Sequence, residues 1–138
     1  MKIFAIIAGL LFATNVFASG FDVSEAYVHT YSHHFISNKK HNNANYGLGV
    51  EFQNHIVGGF YYNSFYKTTM YVGYNVHVTN WFNLAGGVAT GYRDVTGKAF
   101  LPFGVIGFTY PVDKHWRASL NIVPVKRGVA NATIGYKW

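Results

Sequence analysis

From residue 45 to residue 52 the chain places Tyr46, Leu48, Val50 and Phe52 at every second position, with Asn45, Gly47, Gly49 and Glu51 between them. Successive side chains of a β-strand point to opposite faces, so such a segment has one apolar side and one small or polar side. The pattern recurs along the chain. Met70, Val72, Tyr74 and Val76 stand against Thr69, Gly73, Asn75 and His77, and Phe82, Leu84 and Val88 against Asn83, Ala85, Gly87 and Ala89. Trp116, Ala118, Leu120 and Ile122 alternate with Arg117, Ser119 and Asn121. The last segment sets Ala130, Ala132, Ile134, Tyr136 and Trp138 against Asn131, Thr133, Gly135 and Lys137. Three more segments, about 23–35, 56–65 and 100–110, read as strands of less definite phase. The total is about eight strands, and no segment beyond the N-terminus has the long apolar run of a membrane helix.

The composition of the second face decides which way the strands point. A soluble barrel turns its apolar face inward and shows Lys and Glu outside. Here the second face is Gly, Ala, Asn, Ser and Thr, which suits the inside of a narrow barrel. Charged residues are 12% of the chain, fewer than a soluble surface normally carries. Aromatic residues are 19%, enough for outward faces and interfacial girdles. The expected fold is therefore all-β: an eight-stranded antiparallel up-and-down transmembrane β-barrel. Closure in lipid pairs every backbone group between strands. That matters for a small chain without cysteine, which has no disulfide, thiolate metal ligand or thiol nucleophile.

The N-terminus has the anatomy of an export signal. Lys2 supplies the positive charge, residues 3–12 the apolar core, and Val16-Phe17-Ala18 the small residues of a cleavage site. Residues 1–18 are expected to be a signal peptide cleaved after Ala18, leaving residues 19–138 as the barrel. The stretch is too short for a comfortable transmembrane helix, and Asn15 interrupts it. At the other end, Trp138 has apolar residues two, four and six places before it. This resembles the signal read by the outer-membrane assembly machinery. The expectation is a monomer in a bacterial outer membrane, with that machinery as a partner during biogenesis.

With both termini periplasmic, the outer loops fall near 36–44, 65–68, 93–99 and 124–128, and the inner turns near 53–55, 79–80 and 111–114. Long outer loops and short inner turns are the rule for such barrels. The net charge of +6 then sorts unevenly. Lys39, Lys40, Lys67, Arg93, Lys98, Lys126 and Arg127 lie on the outer side with only Asp94 against them, while Asp22, Glu25, Glu51 and Asp113 lie toward the periplasm. Lys and Arg at the outer level can hold lipid A phosphates by charge-assisted hydrogen bonds. Any outer-membrane barrel gains from single pairs of this kind, so the reading rests on the cluster. Nothing in the chain looks like a soluble basic module, and no nucleic-acid partner is expected.

Two polar groups meet at the outer rim: Ser32-His33-His34 at the top of strand one and Asn63-Ser64 at the top of strand three. A His within reach of a Ser can activate its hydroxyl for acyl transfer. A third group must orient that His, and Asn63 is a weak candidate. The plainer alternative is a solvated girdle. His33 and His34 point to opposite faces, so a metal site built from His29, His33 and His34 is disfavoured. No metal and no cofactor is expected.

These residues carry a resemblance to the lipid A palmitoyltransferase family, loose but spanning most of residues 19–138. Residues 43–49, Asn-Ala-Asn-Tyr-Gly-Leu-Gly, look like the family's Tyr-Asn-Glu-Arg-Pro-Trp and the glycine-rich strand after it. Residues 60–65, Phe-Tyr-Tyr-Asn-Ser-Phe, are similar to its Phe-Lys-Asp-Ser-Trp, which puts Ser64 on the catalytic Ser. Residues 30–35 are similar to its Thr-Trp-His-Asn-Arg-Phe, with either His34 or His33 on the catalytic His. His34 is preferred, because Ala26, Val28, Thr30 and Ser32 then share its face as a small, polar lumen stripe. Tyr27, Tyr31 and Phe35 would face lipid, and so would His29. Phe100-Leu101-Pro102 and Asn121-Ile122-Val123-Pro124 resemble two proline-bearing strand ends. Proline gives no N–H to the ladder, so Pro102 and Pro124 on adjacent strands could form a lateral gate; proline ending a strand explains Pro124 equally well.

The chain departs from the family at Asn63, where the family has Asp, and in lacking an N-terminal amphipathic helix. The resemblance implies transfer of a palmitoyl chain from a phospholipid to lipid A, with Ser64 and His34 catalytic. The alternative from another class is a non-catalytic barrel that alters the cell surface or binds a partner through its outer loops. A lipid A deacylase ranks last, since no His-x-Ser site stands near the C-terminus.

Overall fold

The computed structural model describes residues 22–35, 40–124 and 128–138. The expected signal peptide, its cleavage site, Lys39, Lys126 and Arg127 lie outside the described residues. Among the described residues eight strands form: β1 (Val23–His34), β2 (Gly47–Phe52), β3 (Ile56–Tyr62), β4 (Thr68–His77), β5 (Phe82–Ala89), β6 (Leu101–Pro111), β7 (Trp116–Val123) and β8 (Val129–Lys137). Each pairs antiparallel with the next, and β8 pairs with β1 to close the barrel. A single helical turn, α1 (Arg93–Thr96), sits in the β5–β6 connection and ends at Gly97, whose φ of 72° suits glycine. The short turns 53–55, 78–81 and 112–115 share one end of the barrel with β8's C-terminus. The described parts of the other connections, 40–46, 63–67 and 90–100, lie at the other end with Pro124 and Gly128.

Contacts between strands that are not neighbours identify the lumen, because only the interior lets them meet. Tyr71 on β4 reaches Tyr27 and His29 on β1, both at 2.9 Å. Glu51 on β2 accepts from Asn75 on β4 at 2.8 Å. Glu25 on β1 faces Arg117 on β7 at 4.0 Å. The register then carries the inward face around the barrel: Tyr71 is opposite Ala89, Gly87 opposite Phe103, Gly107 opposite Asn121, and Asn121 opposite Asn131.

The interior is polar and the exterior apolar, the reverse of a soluble domain. The two largest fully buried side chains are Asn63 and Thr69, and Glu51, Asn75, Ser32 and Thr133 are buried with them. Outside, Val72, Val76, Leu84, Val88, Leu120 and Ile134 are exposed at mid-strand. Trp81, Tyr110, Trp116 and Trp138 ring the short-turn end, and Tyr31, Tyr46, Tyr62 and Tyr66 the long-loop end. An apolar band between two aromatic girdles is the surface of a transmembrane barrel.

One strand corrects the sequence reading. In β1 the pairing with β8 slips between His29 and Tyr31, so Thr30 is an extra residue in a bulge. A bulge reverses the alternation beyond it. Glu25, Tyr27 and His29 therefore face the lumen below the bulge, and Ser32 and His34 above it. Ala26 and Val28 face outward instead of lining the lumen, and Tyr27 and His29 face inward instead of toward lipid. The slip removes the burden of a lipid-facing imidazole. Thr30 returns its hydroxyl to the Ala132 carbonyl at 2.8 Å.

The glycines of the second face make room for the large lumen rings. A side chain at Gly49 would run into the Tyr27 ring and the Tyr71 hydroxyl, and one at Gly59 into the same hydroxyl. Gly49→Val should therefore overpack the lumen and cost about 1–3 kcal/mol. The check is the urea midpoint of the barrel folded in detergent; an unshifted midpoint would place the tyrosines elsewhere.

Candidate functional site

The long-loop end brings together most of the residues that the sequence singled out. Asn63 follows β3 directly and is wholly buried. Its amide nitrogen donates to Thr69 Oγ1 and to the Gly91 carbonyl, both at 3.0 Å. Its amide oxygen accepts from the N–H groups of Phe65 (2.9 Å) and Lys67 (3.1 Å). Those four bonds shape the β3–β4 loop and tie it to the β5–β6 loop. They leave the side chain no capacity to orient a histidine.

Ser64 lies next in that loop, and its carbonyl accepts from Asn42 N–H at 3.0 Å. The histidines approach from β1. His34 pairs with Val129 on the lumen side of the register, and His33 pairs with Ala130 on the outer side. His33 is exposed with its ring edge on Phe35, the centroids 5.3 Å apart. His34 stacks on His41 at 4.2 Å, and His41 in turn meets Phe65 edge-on at 5.5 Å. Ser64 and His34 thus occupy one rim, with His41 and Phe65 interposed. Among the described residues no hydrogen bond joins Ser64 to either histidine.

The first connection folds back over this rim. Ser32 Oγ donates to Asn45 Oδ1, and both side chains are buried. Asn45 Nδ2 donates to the Tyr62 carbonyl at 2.8 Å, and Asn42 Nδ2 to the Asn63 carbonyl at 3.3 Å. Alternation alone puts residues 42–44 in a loop and Asn45 at the start of a strand, and it does not reveal this network. The signal was present as three asparagines within four residues, a type that bonds nearby backbone. His41 was missed because it lies in a loop, where no alternation places a side chain, and it meets His34 only through the fold of that loop.

At the same end the described pairing between β6 and β7 stops short of the start of β6. The ladder ends at Ile106 opposite Ile122, so among the described residues 101–105 of β6 have no partner on β7. Those residues remain paired with β5, Pro102 opposite Val88. Pro124 follows the end of β7, two residues past the last pair. Behind the seam the lumen face is apolar: Leu101, Phe103, Val105, Val123, Val129 and Ala89. The Phe103 ring reaches Tyr71 across the barrel at 6.2 Å.

Comparison with known proteins shows the fold and no more. No protein-family profile matches the chain, and no curated protein matches it. Among solved structures it is similar to the solution NMR structure of a de novo designed protein, TMB2.3. The two share 15% identity, with 87% of this chain and 97% of the other covered, and a TM-score of 0.54. The likeness supports a small membrane-type barrel built by strand alternation, and it carries nothing about activity.

The basic residues are less uniform than their count implied. Lys40, Lys67, Arg93 and Lys98 are exposed at the long-loop end. Lys67 is already bridged to Asp94 at 3.2 Å, both side chains exposed. That pair is screened by water and contributes little to stability.

Proposed function

We propose that this barrel sits in a bacterial outer membrane and takes up an acyl chain from the leaflet at its long-loop end. It then passes the chain to lipid A. The observation that carries the reading is the β6–β7 seam, where pairing among the described residues stops at Ile106 opposite Ile122, backed by an apolar lumen wall. An acyl chain entering there from the membrane would find Leu101, Phe103, Val105, Val123 and Val129. Lumen groups deeper in the barrel are polar: Glu51, Asn75, Asn83 and Arg117. Pro102 and Pro124 flank the opening and serve as its lateral gate.

The resemblance to the lipid A palmitoyltransferase family assigns Ser64 as nucleophile and His34 as base, and both stand at the same end of the barrel as that seam. The inward register of His34 favours it over His33. Catalysis requires Ser64 and His34 to meet, which the stack of His34 on His41 must release on substrate binding. The exposed Lys40, Arg93 and Lys98, together with Lys39, Lys67, Lys126 and Arg127, would hold lipid A phosphates. The phospholipid is the acyl donor in this scheme: its ester C–O bond breaks as Ser64 Oγ takes the acyl group, the lysophospholipid leaves with the proton that His34 took from Ser64, and a lipid A hydroxyl, deprotonated by His34, then takes the acyl group and frees Ser64.

A second reading draws on Asn63. Its side chain is committed to the loops, and among the described residues no hydrogen bond joins Ser64 to His33 or His34, which favours a non-catalytic barrel acting through its outer loops. Mass spectrometry of lipid A separates the two. In a host lacking its own palmitoyltransferase, the enzyme adds one acyl mass, and Ser64→Ala or His34→Ala removes it. A folded barrel that adds no mass is the non-catalytic one. A gain that survives Ser64→Ala keeps the activity and discards the site.

A further inference from the structure

The opposite end of the barrel carries a cluster that the acyl-transfer reading does not use. Glu51 near the end of β2, His55 in the β2–β3 turn and His77 at the end of β4 aim their donor atoms at one point. Glu51 Oε1 lies 2.6 Å from His77 Nε2 and 3.2 Å from His55 Nδ1, and all three donors fall within 4.8 Å of one another. We propose that Glu51, His55 and His77 form a binding site for a divalent transition-metal ion of the Zn²⁺ type.

Three features point to a metal rather than to a hydrogen-bonded trio alone. The first is the donor set. Two imidazole nitrogens and one carboxylate oxygen make a three-ligand Zn²⁺ site with a fourth position for water. Tetrahedral bonds of about 2.0–2.1 Å space the donors at roughly 3.3 Å. The Glu51–His55 spacing of 3.2 Å already matches, the Glu51–His77 pair must open from 2.6 Å, and His55 and His77 start within 4.8 Å of one another.

The second feature is the support behind the carboxylate. Glu51 is buried, and its other oxygen accepts from Asn75 Nδ2 at 2.8 Å. Asn75 is itself held by Asn83, whose Nδ2 donates to Asn75 Oδ1 at 2.7 Å. Such outer partners orient metal ligands and hold them ready. Meanwhile the His55 and His77 side chains are 47% and 38% exposed, so the open position faces the water at the barrel mouth.

The third feature is the backbone of His55. Its φ is 67°, the left-handed region where a hairpin of this kind ordinarily places glycine. The turn nevertheless carries a histidine, whose backbone N–H donates to the Phe52 carbonyl and whose backbone carbonyl accepts from the Asn75 N–H, both at 2.9 Å. The second of these bonds links the turn to β4, the strand that brings His77. A metal ion would join the β2–β3 hairpin to β4 inside the rim.

The test is titration of the folded barrel in detergent micelles with Zn²⁺ by calorimetry, and with Co²⁺ by visible absorption. One equivalent should bind, and Co²⁺ should give the intense bands of a four-coordinate site. His77→Ala should weaken binding at least tenfold. So should His55→Gly, which suits the turn's φ and keeps the fold even if Glu51→Gln does not. Asn75→Ala should weaken it by about 10–100-fold as a supporting group. His115→Ala, at the same end but outside the cluster, should leave it unchanged. A folded barrel that takes up no equivalent overturns the proposal, and so does binding that survives both His55→Gly and His77→Ala.

Discussion

Val72→Arg is expected to destabilise the barrel in a phospholipid bilayer by about 2–4 kcal/mol, the cost of a basic side chain at the midplane of a transmembrane barrel. Val72 sits midway along β4 and points outward, 52% exposed. It lies opposite Gly58 on one side and Val88 on the other. On a soluble protein an exposed Val→Arg would change little. Asn80→Arg, in the β4–β5 turn at the short-turn end, should cost about 0–1 kcal/mol as an interfacial position. Reversible urea unfolding from vesicles measures both. Equal effects at Val72 and Asn80 would mean that the apolar band does not contact lipid.

Asn63→Ala should cost about 2–6 kcal/mol, because it removes four hydrogen bonds from a wholly buried side chain at a net ~0.5–1.5 kcal/mol each. Asn63→Asp is the more informative change. It restores the residue that the palmitoyltransferase family has before its Ser. A carboxylate cannot donate, however, so it would set a negative charge against the Gly91 carbonyl that the amide now satisfies. Its oxygens could still accept from Phe65 and Lys67. The expected result is a destabilised barrel, by about 1–3 kcal/mol for the buried acceptor left unpaired, with no gain in lipid A acylation. A rise in acylation with unchanged stability would mean that Asn63 is a weakened catalytic Asp and not a loop anchor.

How far the sequence spoke depends on whether the information was local. The second-face residues Asn83, Ala85, Gly87 and Ala89, or Asn131, Thr133 and Gly135, follow from alternation alone, and the register places them inside. The turn positions followed from the same periodicity. β1 was misread because a single inserted residue at Thr30 inverts the phase, and nothing local in Val-His-Thr-Tyr announces a bulge. The lipid-facing His29 that the unbulged reading demanded was the one trace of it. At the rim, alternation and strand direction were enough to bring Ser64 and His34 to one end. They could not reveal that Asn63 bonds to Thr69 and Gly91, since those partners depend on how three loops pack. The Glu51–His55–His77 convergence was hidden for a similar reason. His55 reaches Glu51 only because its turn residue adopts a φ of 67°, and His77 arrives from a different strand.

The central claim is that the apolar faces of these strands meet lipid and the Gly, Ala, Asn and Thr faces enclose the lumen. Nuclear Overhauser contacts between side chains and lipid acyl methylenes, recorded for the barrel in phospholipid nanodiscs, test it most directly. The account predicts acyl contacts to Val72, Leu84, Leu120 and Ile134, and none to Asn75, Ala85, Asn121 or Thr133. Acyl contacts to that second set, with the first set packed away from lipid, would contradict it.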